Sequence, residues 1–386
     1  MSTVSNDDVI TVANQLLDPL DLEATSYHTL QQLWSGYGTI ARLQTVSKTS
    51  PISSALILKH VTPPSDAGKD EGHLRKLISY QVEQYFYTTL APLMPKSIGV
   101  AICLTSQWSD AGGMAMVLSD LRNQYPVPGE KRGNLDQSQV YAALQWLGTF
   151  HGFWWRRTKD IKAKGLRLPP LEEADCSPSR KDGVWRNGGY TYLATRRTEY
   201  ATLKNDKTSE WSEKLCAPAL ERKSSIAELV ADVLSPSTSH SSVAAYETLI
   251  HGDVKSENLF ANSMGSKVAF FDFQYVGLGL GVCDLAKLFT CSVPSELLGA
   301  NDGDMSESER VLLDYYMRFL EETSGKTYPW ALLEMHWKTA LVDWLRFQAS
   351  WGFWGNTAWL ESRVRHILED AEWNAWLLKE ADAAKN

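Results

Sequence analysis

The sequence predicts an α+β chain of two lobes, a β-rich N-terminal lobe over residues 1–121 and a larger, mostly helical lobe over 122–386. Three observations predict it. Short β-favouring runs broken by Gly, Ser and Pro fill the first part of the chain. Helical periodicity takes over after Leu121 and dominates from residue 282 onward. Two short apolar strands, 248–250 and 268–271, interrupt the helical lobe and frame its most polar motif.

Each element follows from its residues. A helical period over 6–18 predicts an opening helix, and β-favouring runs at 27–33, 39–46 and 55–61 predict three strands. Trp34, Ser35, Gly36, Tyr37 and Gly38 form a small glycine turn between the first two. Pro63, Pro64, Ser65 and Asp66 break the chain before an amphipathic helix over 71–91, which must stop at Pro92. Strands at 97–108 and 114–118 flank a Gly112–Gly113 turn. In the second lobe, apolar positions 140, 144, 147, 150 and 154 give one face of a helix over 136–156. The more polar stretch 158–240, with Pro169, Pro170, Gly188, Gly189 and a Ser-rich segment at 235–242, reads as an insertion of surface helices and loops.

Composition narrows the class. With 44% hydrophobic and 22% charged residues among 386, the chain has the make-up of a soluble globular protein. A formal net charge of −8 argues against a nucleic-acid binder. No apolar run approaches the ~18 residues a membrane span needs, and the acidic start carries no signal-peptide pattern. Five cysteines at 103, 176, 216, 283 and 291, with no CxxC pair, suit a reducing, cytoplasmic setting rather than a disulfide framework or a zinc site.

The chemistry concentrates in one motif. After the strand 248–250 come His251, Gly252, Asp253, Val254, Lys255, Ser256, Glu257 and Asn258, and Asp272 follows fourteen residues after Asn258, within Phe270–Gln274. Phosphoryl transfer needs a carboxylate near the attacking hydroxyl and oxygen ligands for Mg²⁺ on the ATP phosphates. Asp253 fits the first need. Asn258 and Asp272 fit the second, since Mg²⁺ takes few protein carboxylates and fills its shell with phosphate oxygens. Taken singly, each of these residues could be an ordinary turn residue or strand-end cap.

Taken together, HGDVKSEN followed by FFDFQ resembles the catalytic and metal-binding loops of the protein-kinase-like fold. It is most similar to the small-molecule branch: aminoglycoside phosphotransferases, choline kinases and ecdysteroid-kinase-like proteins. Gln274, where protein kinases carry Gly, resembles the last group most. The resemblance runs from about 36 to 290, and other pieces fall in family order. Lys59 resembles the third-strand lysine that holds the α/β-phosphates, its head open until nucleotide arrives. Glu83, favoured over Glu71, resembles its ion-pair partner. Gly36 and Gly38 stand where a phosphate-covering loop would be, without the full glycine pattern. Met116 to Leu121, with Val117, Leu118 and Ser119, resembles the hinge that lines adenine. Leu147 to Gly152 resembles a helix motif of the ecdysteroid-kinase-like group, and Asp284 an aspartate that braces the catalytic loop. Lys255, two residues after Asp253, could neutralise charge on the transferring group or simply be solvated. His251 and His151 read as packed residues supporting the loop.

The resemblance implies a phosphotransferase using ATP and Mg²⁺ on a hydroxyl of a small organic molecule of sterol, aminoalcohol, aminoglycoside or sugar type. A pseudokinase scaffold is disfavoured by the presence of Asp253, Asn258 and Asp272 together. An atypical protein kinase is disfavoured because only eleven residues separate Asp272 from Asp284, too few for a peptide-docking segment. The acceptor must then be walled by later helices. There Trp330, Trp337, Trp344 and Trp351 recur every seven residues on one helix face. Core packing explains most of that stripe. Trp344, Trp351 and Trp354, at its cleft end, are expected to line an acceptor pocket facing Asp253. The sequence names neither the acceptor nor the oligomeric state.

Overall fold

The computed structural model describes residues 6–50, 53–64, 70–108, 113–176, 181–219, 222–236, 242–299 and 303–384. Ser65, Asp66, Gly112 and part of the Ser-rich stretch lie outside the described residues. Helix α1 (Asn6–Leu17) precedes strands β1 (Leu22–Gln32), β2 (Gly38–Ser47) and β3 (Ser53–Val61). Helix α2 (Glu71–Tyr85), β4 (Cys103–Trp108) and β5 (Met114–Ser119) complete the lobe. The strands form one antiparallel sheet in the order β1-β2-β3-β5-β4. Period-2 alternation gives that sheet two apolar faces. One packs Leu43, Leu56, Leu58 and Val117 under Val9, Leu16 and Leu17 of α1. The other turns Val61, Met114, Met116 and Leu118 toward α2 and the helical lobe.

Two boundaries differ from expectation. The helix predicted to 91 keeps its α register only to Tyr85, then loosens into a π-turn (Phe86–Leu90) and tightens at Ala91–Leu93. Pro92 offers no N–H and its ring excludes the carbonyl of Thr88 from the α register. The strand predicted from 97 begins only at Cys103. Before it, Gly99 bridges Ala269 of the helical lobe and its carbonyl accepts the Trp146 indole N–H at 2.8 Å, so the stretch is drawn away from the sheet.

The second lobe starts at β6 (Val127–Pro128) and α3 (Gln137–Trp155), followed by α4 (Thr158–Ala163), β7 (Leu166–Arg167), α5 (Pro170–Cys176) and β8 (Val184–Trp185). Then come α6 (Arg197–Asn205), α7 (Glu210–Cys216), α8 (Ile226–Leu234), β9 (Glu247–Ile250), β10 (Leu259–Ala261), β11 (Val268–Phe270) and β12 (Gly277–Leu280). The chain ends in α9 (Gly281–Cys291), α10 (Ser295–Leu298), α11 (Glu307–Ser324), α12 (Trp330–Trp351), α13 (Thr357–Glu369) and α14 (Ala371–Ala383). A capping box starts α3: the Asp136 carboxylate accepts from Gln139 N while the Gln139 side chain accepts from Asp136 N. Two small sheets, ordered β11-β10-β6 and β7-β8-β12-β9, hold the polar motif between them.

Segment 158–240 is not the surface insertion its polarity suggests. Trp185, Trp211, Leu215, Leu229 and Val230 are buried in the main core, and β8 pairs in parallel with β12. Its apolar residues are sparse in sequence but converge on one side in space. Among the described residues no helix is long and apolar enough to cross a membrane, and the five cysteines form no disulfide.

Candidate active site

The loop after β9 is fixed before any ligand is considered. Asp284, fully buried in the first turn of α9, accepts from His251 N at 2.7 Å and Gly252 N at 2.9 Å. Its Oδ2 also faces His151 Nε2 at 3.2 Å, and His151 Nδ1 meets the Tyr316 hydroxyl at 3.0 Å. Burial alone would raise the Asp284 carboxyl, but His151, Lys287 and His251 hold it below the ordinary carboxylate value. His251 is also fully buried, which lowers its pKa and keeps it neutral. Its partners fit a neutral ring: Nε2 donates to Phe271 O at 3.0 Å and Nδ1 accepts from Asp253 N at 3.2 Å.

Those bonds leave the Asp253 side chain turned outward, 30% exposed. Its Oδ2 accepts from Asn258 Nδ2 at 2.9 Å and lies 3.1 Å from Lys255 Nζ. Asn258 Nδ2 also donates to Asp253 O at 2.8 Å, so its oxygen, the acceptor end, is the part left for a cation. Lys255 sits between Asp253 and Glu257, 3.0 Å from the latter. Burial alone would lower its pKa, but the two carboxylates raise it, so it stays charged.

The second loop joins the first through Phe271 N, which donates to Asn258 O at 3.0 Å. Asp272 follows with φ 65° and ψ 60°, a left-handed conformation an aspartate adopts at some cost. Its Oδ1 is buried without a hydrogen-bond partner among the described residues. A buried carboxylate oxygen with no donor is costly, and a cation would satisfy it. Phe273 packs its ring on Phe86, 3.8 Å between centroids, and on His251 at 4.5 Å. Gln274 reaches back to α2, where its Oε1 accepts from Ser79 Oγ at 3.4 Å.

In the N-terminal lobe Lys59 Nζ donates to Glu83, with the Tyr80 ring 5.2 Å away. Both charged residues are buried, so the expectation of an open lysine head is corrected: the site forms its ion pair without nucleotide. Burial pushes the Glu83 carboxyl up, Lys59 opposes this, and the Asp272 charge adds to the rise, so the pair and the Asp272 loop share one electrostatic environment. Glu71, the rival partner, instead accepts from the Tyr190 hydroxyl at 2.8 Å.

Other expected residues divide. Gly38 is glycine because a Cβ there would stand 2.0 Å from His60 O, which is a packing reason. At Gly36 a Cβ would meet nothing among the described residues within 4 Å, so the φ of +73° is the reason for glycine there, and Trp34 in the same turn is 77% exposed. Leu118 faces the helical lobe, whereas the Val117 side chain lies under α1 on the opposite sheet face, so only its backbone can border a nucleotide. Ser119 Oγ accepts from Ile102 N at 2.9 Å. Trp337 is core, its indole N–H bonded to Glu309 at 2.7 Å. Trp344 is buried beside Lys287, whose Nζ lies 5.8 Å from its ring, and Trp354 donates to the Cys291 thiol at 3.1 Å. Asp253's charge reaches that thiol. Trp351 is 58% exposed and carries the Arg196 guanidinium 4.7 Å over its ring.

The largest omission is the 184–196 stretch. Trp185 Nε1 donates to Gln274 O at 2.8 Å, Gly189 N donates to Tyr275 O at 2.9 Å, and the Tyr190 ring lies between the Arg75 and Arg196 guanidinium groups at 4.3 and 4.6 Å. Its signal was the Gly188–Gly189 pair. A Cβ on Gly188 would meet Ile250 at 2.6 Å, so the glycines mark a close approach of backbones.

A sheet over a paired helix, joined to a helical lobe whose two acidic loops meet, makes the molecule a protein-kinase-like fold. The return from Asp272 to Asp284 is short, eleven residues between the two. The model of the ecdysteroid kinase-like family matches residues 37–326, and the chain belongs to that family. A comparison with curated proteins returns no match. Among solved structures it is similar to a choline kinase from Cryptosporidium parvum Iowa II (11% identity, 99% of this chain and 100% of that one, TM-score 0.46). It is also similar to a spectinomycin phosphotransferase in complex with ADP and spectinomycin (10% identity, 100% and 99% covered, TM-score 0.43). A third similar structure is an aminoglycoside-3'-phosphotransferase of type VIII (15% identity, 88% and 98% covered, TM-score 0.39).

Proposed function

We propose that the protein transfers the γ-phosphoryl group of ATP, with Mg²⁺, to a hydroxyl of a small organic molecule of sterol, aminoalcohol, aminoglycoside or sugar type. The observation that carries this reading is the meeting of Asp253, Asn258 and Asp272, with the Lys59–Glu83 pair within reach of the Asp272 charge. Asp253 orients the acceptor hydroxyl and takes its proton. Lys59 holds the phosphates, and Glu83 keeps its ammonium in place. Lys255 stands beside Asp253 to offset negative charge on the group in transfer.

Asn258 and Asp272 would hold the metal. The donor set supports this: one amide oxygen on Asn258 and one carboxylate on Asp272, whose Oδ1 is buried without a hydrogen-bond partner among the described residues. That is the arrangement for an ion that takes most of its ligands from phosphates and water. Bound there, Mg²⁺ would neutralise phosphate charge. Hydroxyl compounds of the four classes, each supplied with ATP and Mg²⁺, test the proposal by ADP release and product mass. Product mass about 80 Da above an acceptor, formed at least about 100-fold more slowly with Asp253→Asn, is the expected result. No acceptor-dependent ADP release across the panel would overturn it.

A further inference from the structure

Lys287 lies three residues after Asp284, buried on the inner side of α9. Among the described residues it forms no ion pair with a carboxylate, and a lysine kept from water without one is costly. Its Nζ donates to Gly252 O at 2.5 Å. That carbonyl belongs to the same planar peptide unit as Asp253 N–H, which His251 Nδ1 accepts at 3.2 Å. One rigid plane is therefore pinned at both polar ends, and Asp253 is the residue it carries.

The surroundings are built for this contact. Gly252 has φ +87°, which turns its carbonyl toward α9 in a conformation that favours glycine. Gly189, from the 184–196 stretch, crosses directly over the lysine head, and a Cβ there would stand 2.5 Å from Lys287 Nζ. On the other side Lys287 lines a small cavity with Asn187, Thr191, Cys283, Asp343 and Trp344.

We infer that Lys287 is a positioning residue for Asp253, fixing the Gly252–Asp253 peptide so that the carboxylate keeps one direction in the cleft. This rests on the phosphotransfer reading for its effect on rate, but not for its effect on the loop.

Lys287→Met keeps the length and removes the donor. With an acceptor from the panel, kcat is expected to fall about 10- to 100-fold, the loss that a modest misplacement of a reacting group produces, while KM for ATP changes less than about twofold. Lys287→Arg, which can still donate, is expected to recover most of kcat. Amide hydrogen exchange at 251–254 is expected to quicken in Lys287→Met and not elsewhere in the helical lobe. Unchanged kcat and exchange in Lys287→Met would overturn the inference. So would joint loss of melting temperature and ATP binding that arginine does not repair. Should Lys287→Met fail to fold, Lys287→Gln, whose shorter arm withdraws the donor from Gly252 O, carries the same test. If the wild-type protein turns over no acceptor, the phosphotransfer reading fails, and the exchange result alone decides the role of Lys287.

Discussion

In the N-terminal lobe one buried ion pair, Lys59 with Glu83, carries the site's charge, set on β3 and α2 among Tyr80 and apolar neighbours. Around Asp253, by contrast, Asp284, His251, His151, Lys287 and Tyr316 interlock, and each of these five bonds to the loop or to another of the set. The first arrangement can open by a shift of a single helix. The second can open only by breaking several bonds at once, each leaving a buried donor or acceptor unmet. An ion pair held by one strand and one helix, against a loop held by a network of buried bonds, is what separates the two regions.

The largest expected effect breaks the rigid side at its working end. Asp253→Asn should cut turnover by about 10²–10⁴ while ATP binding, followed by calorimetry, stays near wild type. Near-normal kcat would remove Asp253 from the chemistry. Next, Asp284→Ala leaves His251 N and Gly252 N without an acceptor in a buried setting. It should cost about 3–5 kcal/mol in urea unfolding, the range seen when a buried charge network loses a member. A cost under about 1 kcal/mol would mean that water takes over the role.

The N-terminal pair gives a smaller effect with a sign in pH. Lys59→Met leaves Glu83 buried without its cation, and the carboxyl then takes a proton, limiting the cost to about 1–3 kcal/mol. Glu83 already titrates above its ordinary value of 4.5 through burial. A carboxyl that keeps its proton to higher pH in the folded state binds more protons folded than unfolded. Stability of Lys59→Met should therefore fall as pH rises above 4.5. Adding Glu83→Leu should flatten that slope and restore stability without restoring KM for ATP. A slope that survives the double change would place its origin elsewhere. The smallest effect belongs to the exposed turn: Trp34→Ala should shift stability by no more than about 0.5 kcal/mol. A larger loss on unfolding would give Trp34 a packing partner.

The two sides also differ in how far they could be read from sequence. The Asp253–Asn258 and Asp272 segments were legible because residue type and spacing sit within one short stretch. Lys59 with Glu83 was legible by strand and helix order. Burial of the Lys59 head was not, since a lysine ending a β run is ordinarily solvated and only the placement of α2 encloses it. The 184–196 wall was hidden because Trp185, Tyr190 and Arg196 carry no local periodicity; their meaning comes from pairing with β12, almost a hundred residues later. The tryptophan stripe split for a similar reason. Helical spacing puts Trp337, Trp344 and Trp351 on one face, but how far each is buried depends on which helices lie against that face at each level.

Gln274 accepts from Ser79, 195 residues earlier in the chain, and from Trp185, 89 residues earlier. Such separations raise the contact order of the site above that of the helices around it, and contacts of this kind slow folding. The entropy of closing such loops grows only as the logarithm of their length, so the delay costs little final stability. The centre is therefore expected to form after the local helical contacts around it. A ligand that binds it, added during refolding, should speed none of the early helical phases and should stabilise only the final one.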